Sequence, residues 1–367
     1  MMILLVFAFV LLGFATEASL PAPTFAGRLP AGVETGFAAR LDSAGGQHLL
    51  ASRGGMLVAF AFQHGGFVPQ CSLPLPAPIA APDGGSPLST GSIVTAGDVD
   101  SDGLDEIVVA GSRSLRKYEL VRGTFALTAE ATLRPDSGRR PGWCFDVSIG
   151  DVDRDAINEV LLAGVRSLPA FEPDGVDHPV TLSVCRWIGK DLAQIWNDHG
   201  ALGLGGPSWA TPIDKMVGVL DPSNSGHSVL LVEEGRSDVR ACTYNEMYWT
   251  PSGLREIGKF VVRDGRIQRK VRDSNPMHSA VGCDFARVSG VTAVLGGMVQ
   301  QDYVWQGEYF IFSRDSAYEH RVLWSDSDHN WYSPSGGILT DLDGKGTGAL
   351  RFRYSRDRGP SFEFYRL

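Results

Sequence analysis

Basic residues are in deficit: 33 Lys and Arg face 42 Asp and Glu, a net charge of −9. No basic stripe offsets that balance, which excludes the electrostatic footprint of a nucleic-acid binder. Long apolar runs are nearly absent. The one at residues 3–14 is too short to span a bilayer, and no other stretch is apolar enough to do so. Cysteine is scarce. Cys71, Cys144, Cys185, Cys242 and Cys283 are scattered, with no CxxC and no metal-type spacing. The odd count leaves at least one thiol unpaired, and four of the five lie in or beside apolar, strand-like runs, where buried free thiols are the plain reading. Helical periodicity is almost missing, which excludes helical solenoids. G-x-S-x-G, HExxH and phosphate-loop motifs are missing too, so the signal for catalysis is thin.

What the chain does have is a repeat. Residues 97–111 read GDVDSDGLDEIVVAG and residues 150–164 read GDVDRDAINEVLLAG, with first aspartates 53 positions apart. Each copy is an oxygen-rich loop followed by a short apolar strand. With Asp98 as position 1, Asp100 and Asp102 fall at positions 3 and 5, Gly103 at 6, and Glu106 at 9. Acids on alternate positions turn their oxygens toward one centre, and the Leu104 carbonyl at position 7 adds another. Such an oxygen set suits a hard cation, calcium above all. The second copy offers Asp151, Asp153, Asp155, Glu159 and the Ile157 carbonyl. Ala156 replaces the glycine there, so its bend is expected to be more strained. The first half of each loop is like an EF-hand loop, but the following β-rich run makes it a strand–loop–strand unit. The bland alternative is that these acids merely solvate a hairpin.

Weaker copies follow around Asp42, Asp221, Asp284 and Asp341. With Asp98 and Asp151 as further anchors, the spacings along the chain are 56, 53, 70, 63 and 57. Most of these loops have lost their cation set. In the last, Lys345 falls at position 5 and is read as an ammonium standing where a metal would sit, so Lys345→Asp is expected to create a calcium response.

This pattern resembles the FG-GAP/VCBS repeat family, over roughly residues 36–355. The resemblance implies calcium-loop blades of the kind that build the integrin α-subunit propeller. It is specific at the two strong loops and weak elsewhere, and the motif that names the family is poorly kept.

Each loop-and-strand unit is followed by a hairpin: 56–62 with 67–73 around Gly65-Gly66, 115–121 with 124–133 around Arg122-Gly123, 181–188 with 193–196, and 309–313 with 320–324. Four short antiparallel strands every 50–70 residues predict an all-β propeller. Six blades is the expected count. Seven is the alternative, because 236–270 is long enough to hold extra strands. The last unit supplies three strands (337–340, 349–354, 362–367), and residues 24–29 are expected to add the fourth and close the ring. The Pro/Asp-rich stretch 167–179 reads as a surface loop.

Residues 1–18 are expected to be a cleaved signal peptide, with Thr16 and Ala18 at the −3 and −1 positions, although the stretch before the apolar run lacks Lys and Arg. The mature chain, 19–367, is then a single propeller domain, secreted or periplasmic, with no membrane insertion after cleavage. A glycan or protein ligand is expected at the loops opposite the acidic ones, where Trp143, Trp209, His278, Trp331 and Tyr332 gather near prolines. The alternative is that these aromatics pack between blades. The rivals to a recognition module are a propeller-fold polysaccharide lyase, for which His278, Tyr303, His329 and Tyr332 offer acid–base groups, and a structural or adhesive ectodomain.

Overall fold

The structure is a computed structural model. It describes residues 24–29, 36–44, 46–76, 93–111, 114–133, 143–165, 181–197, 215–220, 229–234, 243–263, 266–269, 283–288, 291–301, 304–314, 320–328, 337–342, 344–345, 348–355 and 359–366. The expected signal peptide, the 167–179 loop, Cys242, and Trp209, His278, Tyr303, His329, Trp331 and Tyr332 lie outside these residues. Among the described residues no helix is long and apolar enough to cross a membrane.

Among the described residues all the regular structure is strand, gathered in six antiparallel sheets. Blade I runs Gly36–Ala39, His48–Arg53, Met56–Gln63, Gly66–Pro74. Blade II runs Ile93–Gly97, Glu106–Ala110, Ser114–Val121, Thr124–Thr132. Blade III runs Trp143–Gly150, Glu159–Val165, Thr181–Ile188, Asp191–Asn197. Blades IV and V begin at Lys215–Leu220 and Cys283–Val288, and blade VI at Gly337–Thr340. The first strand of each blade touches the first strand of the next, and that of blade VI touches that of blade I. The sheets therefore close a ring of six: a β-propeller. The long stretch after residue 236 holds a fifth strand, Arg266–Arg269, paired to the outer edge of blade IV. It thickens one blade and does not make a seventh.

Ring closure follows the expected route. Thr24–Arg28 pairs antiparallel with Gly359–Arg366, Thr24 opposite Arg366 and Arg28 opposite Glu363. The strand from the beginning of the chain thus becomes the outermost strand of blade VI. Arg28 Nη2 donates to Glu363 Oε1 at 2.6 Å, and the Tyr365 hydroxyl donates to Glu363 Oε2 at 2.9 Å. Glu363 is buried, so its charge is held inside the seam.

The core lies between blades. Glu106–Ala110 is buried throughout. Ile107 and Val109 pack with Leu41, Leu50 and Leu57 of blade I, whereas Val108 and Ala110 pack with Val147, Val160 and Leu162 of blade III. That is the strand alternation of side chains, with both faces covered. Gly97 sits where a Cβ would come 2.5 Å from Ile149 Cγ2 of blade III, so the glycine that opens the GDVD sequence is required by close approach of the next blade.

The ladder also corrects two anchors. Gly97 pairs with Glu106, Gly150 with Glu159, Ala39 with His48, and Thr340 with Gly348. Position 1 in blade I is therefore Arg40, not Asp42. In blade V, Asp284 lies inside the first strand opposite Leu295 and is not a loop residue. Acid content misleads where a loop has lost its acids. Burial at position 2 does not: Leu41, Val99, Val152 and Leu342 are all buried, and Leu41, Val99 and Leu342 feed the interblade cores.

Candidate functional site: the acidic loops of blades II and III

The two strong loops fold alike because they use the same local hydrogen bonds. Asp98 at position 1 accepts main-chain N–H bonds from Asp102 (3.1 Å) and Gly103 (2.9 Å). Asp151 accepts the same kind of bonds from Arg154 (2.6 Å), Asp155 (3.2 Å) and Ala156 (3.0 Å). At position 5, Asp102 accepts from Leu104 N–H at 2.8 Å, and Asp155 from Ile157 N–H at 2.9 Å. At position 9, Glu106 and Glu159 each take the N–H of the position-2 valine, Val99 or Val152, at 2.9 Å. Short acidic side chains thus cap their own turn, a competition with regular structure that Asp performs well.

The bend needs two left-handed residues per loop. Ser101 (φ 64°) and Gly103 (φ 88°) supply them in blade II, Arg154 (φ 69°) and Ala156 (φ 67°) in blade III. Only Gly103 adopts this region without a Cβ penalty, so the blade III bend carries the strain its alanine foretold.

The folding brings positions 1, 3 and 9 together. Asp98, Asp100 and Glu106 have carboxylate oxygens all within 4.8 Å of one another, and so do Asp151, Asp153 and Glu159. Asp102 and Asp155 sit on the same loops but outside those close triples. The geometry suits a hard cation: oxygen donors converge, and one of them in each set is buried, Glu106 at 1% and Glu159 at 0% exposure. Burial pushes Glu106 up to about 8; Asp100 adds to the rise, while the Val99 N–H and Lys117 oppose it. Glu159 is likewise raised by burial, against the hydrogen bond from Arg186. Asp153 is raised by burial and the Asp155 charge.

Two basic residues that sequence spacing does not reveal complete the sites. Both come from the third strand of the blade. Lys117 Nζ lies 2.7 Å from Asp100 Oδ2 and 3.1 Å from Glu119 Oε1. Arg186 spreads over Asp153 (Nη2, 3.2 Å), Asp155 (Nη1, 2.8 Å) and Glu159, which it meets through Nε at 2.9 Å and through Nη2. Burial alone would lower Arg186, but its bonds to Glu159 and Asp155 outweigh it and raise it. The same contacts hold Asp155 low: burial opposes, and the Ile157 N–H and Arg186 prevail. Lys345, the sequence candidate for an internal cation, is exposed in the blade VI loop.

A further feature ties the loops to one another. In blades I, II and III the residue just before the second strand reaches back to the preceding blade. Gln47 Oε1 accepts the Asp341 N–H (2.9 Å) and the Thr340 hydroxyl (2.8 Å), and Gln47 N–H donates to the Asp341 carbonyl (2.8 Å). Asp105 Oδ2 accepts the Arg40 N–H (2.6 Å) and its own N–H donates to the Arg40 carbonyl (2.7 Å). Asn158 Nδ2 donates to the Asp98 carbonyl at 2.7 Å. Asp105, Asn158 and Gln47 were invisible as a set because they differ in type; what they share is register.

Of the expected ligand-mouth residues only Trp143 falls in a described strand, where its backbone pairs with Val165. That places it at the end of the first strand remote from the acidic loop. Cys71 is a free, half-buried thiol raised by burial, and Cys185 is buried.

Comparison with known proteins agrees with the loops. Residues 81–162, which span both strong loops, match the FG-GAP-like repeat. The chain thus carries FG-GAP-like repeat sequence on a β-propeller. No curated protein matches it. Two similar solved structures are both of BBS1N in complex with ARL6DN. One, soaked with lead, is 11% identical with a TM-score of 0.48, covering 94% of this chain and 97% of that one. The other, soaked with mercury, is 10% identical with a TM-score of 0.45, covering 95% of each.

Proposed function

We propose that the chain is an exported, calcium-binding β-propeller that acts as a recognition module for a glycan or protein. The observation that carries the metal is the convergence of Asp98, Asp100 and buried Glu106 in the blade II loop. Asp98, Asp100, Asp102 and Glu106, with the Leu104 carbonyl, would hold the ion; Asp151, Asp153, Asp155, Glu159 and the Ile157 carbonyl form the equivalent set in blade III. Calcium there is structural. Once the acids of a triple are all ionised, like charges within 4.8 Å of one another repel by roughly 3 kcal/mol per pair at an effective dielectric constant of about 20, and a dication relieves that. At extracellular affinities of about 10⁻⁴–10⁻³ M, 1 mM calcium adds only ~0.4–1.4 kcal/mol per site. It tightens a loop already shaped by its own hydrogen bonds.

The ligand is assigned to the opposite mouth, around Trp143, Trp209, His278, Trp331 and Tyr332. Support comes from Trp143, which lies at the end of its strand remote from the acidic loop, on a closed ring that offers a rigid frame for loops. Export rests on residues 1–18. A glycan array followed by a product assay on any hit tests the role. Binding without turnover is the expected result. Unsaturated sugar products would instead make the chain a lyase. Trp143→Ala, Trp209→Ala and Trp331→Ala should each weaken binding without unfolding; unchanged affinity in all three removes the mouth.

A further inference from the structure

The two acidic loops share a backbone but not a counterion, and the difference lies on the third strand. In blade III the position one rung beyond the Val160–Cys185 pair is Arg186, which faces Glu159 across the ladder. Its guanidinium reaches Asp153, Asp155 and Glu159, positions 3, 5 and 9 of the loop. Glu159 is then satisfied at both oxygens, by Arg186 at Oε1 and by the Val152 N–H at Oε2. In blade II the position one rung beyond Ile107–Tyr118 is an acid, Glu119. The nearby cation is Lys117, which contacts Asp100 and shares itself with Glu119. The ammonium thus meets only one acid of the loop, Asp100, and divides itself between it and Glu119.

We infer that Arg186 occupies the cation position of the blade III loop, so that this loop is closed without metal and the blade II loop alone responds to calcium. The inference rests on the calcium reading of the blade II loop given above and replaces that reading for the blade III loop, whose acids take Arg186 in place of the ion. The chemistry favours guanidinium in that place. It is always charged, planar, and forked to meet several carboxylates at once, and it sheds water more readily than an ammonium. For calcium to enter, Arg186 must swing out and give up all three carboxylates. In blade II an entering ion has only to displace Lys117 from Asp100, and Glu119 remains to hold the lysine.

Blade III thus has a clasp that is independent of the ionic calcium level, next to a blade whose clasp follows it. The side chain that sets the difference is outside the loop, on the neighbouring strand. That makes Arg186 a determinant of which blade takes the ion.

The test uses the full, chelator-treated chain, with terbium luminescence and calcium competition, and circular dichroism as the fold control. The wild type should show one site, lost in Asp100→Asn and kept in Asp153→Asn. Arg186→Gln should gain a second site that Asp153→Asn then removes. If Arg186→Gln does not fold, Arg186→Lys serves, because a point charge cannot cover three carboxylates; it should admit a second, weaker site. Two sites in the wild type overturn the inference, as does a single site lost in Asp153→Asn, or a count that does not change when Arg186 is replaced. A site in Arg186→Gln but none in the wild type upholds Arg186 as the surrogate while removing calcium from blade II.

Discussion

The Asn158 amide donates to the Asp98 carbonyl at 2.7 Å, and the two residues belong to different blades. Asp98 is the first acid of the blade II loop; Asn158 is the last residue before the second strand of blade III. Asp105 with Arg40 and Gln47 with Asp341 repeat the arrangement at two other junctions. Each of these three loops is thus held by its successor in the ring, and the backbone of a candidate metal ligand is fixed from outside its own blade. Asn158→Ala should cost about 1 kcal/mol, the usual worth of one such hydrogen bond, and should also weaken calcium binding in blade II. Urea denaturation and a calcium titration on the same variant check both halves. Lost stability with unchanged calcium affinity would confine Asn158 to packing.

The left-handed residues give a second expectation. Ala156 sits at φ 67° where blade II has Gly103 at φ 88°. Ala156→Gly relieves a Cβ penalty of about 1 kcal/mol, partly offset by the greater freedom of glycine in the unfolded chain. A net gain of roughly 0.5 kcal/mol is expected. Gly103→Ala should lose about 1 kcal/mol. Equal stability of all three proteins in chemical denaturation would contradict the account of the bend.

Ring closure can be tested at Arg28. Glu363 is buried in the seam with Arg28 and Tyr365 as hydrogen-bond donors. Arg28 is 47% exposed, so the pair is worth less than a fully buried one. Arg28→Ala should destabilise by about 1–2 kcal/mol. Removing residues through Arg28 should do more: it bares the outer edge of Gly359–Arg366, and an unpaired edge invites association. Light scattering on the truncated chain would show it. A truncated protein that stays monomeric and equally stable would separate closure from the first strand.

Proton linkage follows from Glu106. Burial pushes it up to about 8, against about 4.3 for a carboxylate in an unfolded chain. Between those values the metal-free fold binds a proton that the unfolded chain has released. This group's contribution to stability is therefore present at low pH and lost as pH rises through about 8. Calcium needs the ionised form. Its binding should strengthen by up to about tenfold per pH unit as pH rises toward that value and level off above it. Affinity that stays flat from pH 5 to 8 would contradict Glu106 as a ligand.

Much of this architecture was legible in the chain. The GDVD copies locate the loops, Arg122-Gly123 marks a two-residue turn with both residues at positive φ, and the missing fourth strand of the last unit points to residues 24–29, of which Thr24–Arg28 form the strand. The blade I hairpin turn fell one residue early, at His64-Gly65. Acids are a poor guide in loops that no longer keep them, and Asp42 and Asp284 stand out in the sequence without marking the register. Buried position 2, from Leu41 to Leu342, marks the register better, because packing persists after the ion chemistry is gone. Lys117 and Arg186 were out of reach of spacing alone. They lie on a third strand, and only the ladder brings them beside the acids.

The central claim is that a divalent cation belongs in the blade II loop of a ring that folds without it. Scanning calorimetry of the wild type and Glu106→Gln, with chelator and with 1 mM calcium, tests it most directly. The wild type should stay folded in chelator and gain about 1–3 °C with calcium, and Glu106→Gln should lose that gain. A melting temperature indifferent to calcium, or a chain that unfolds entirely when calcium is removed, would contradict it.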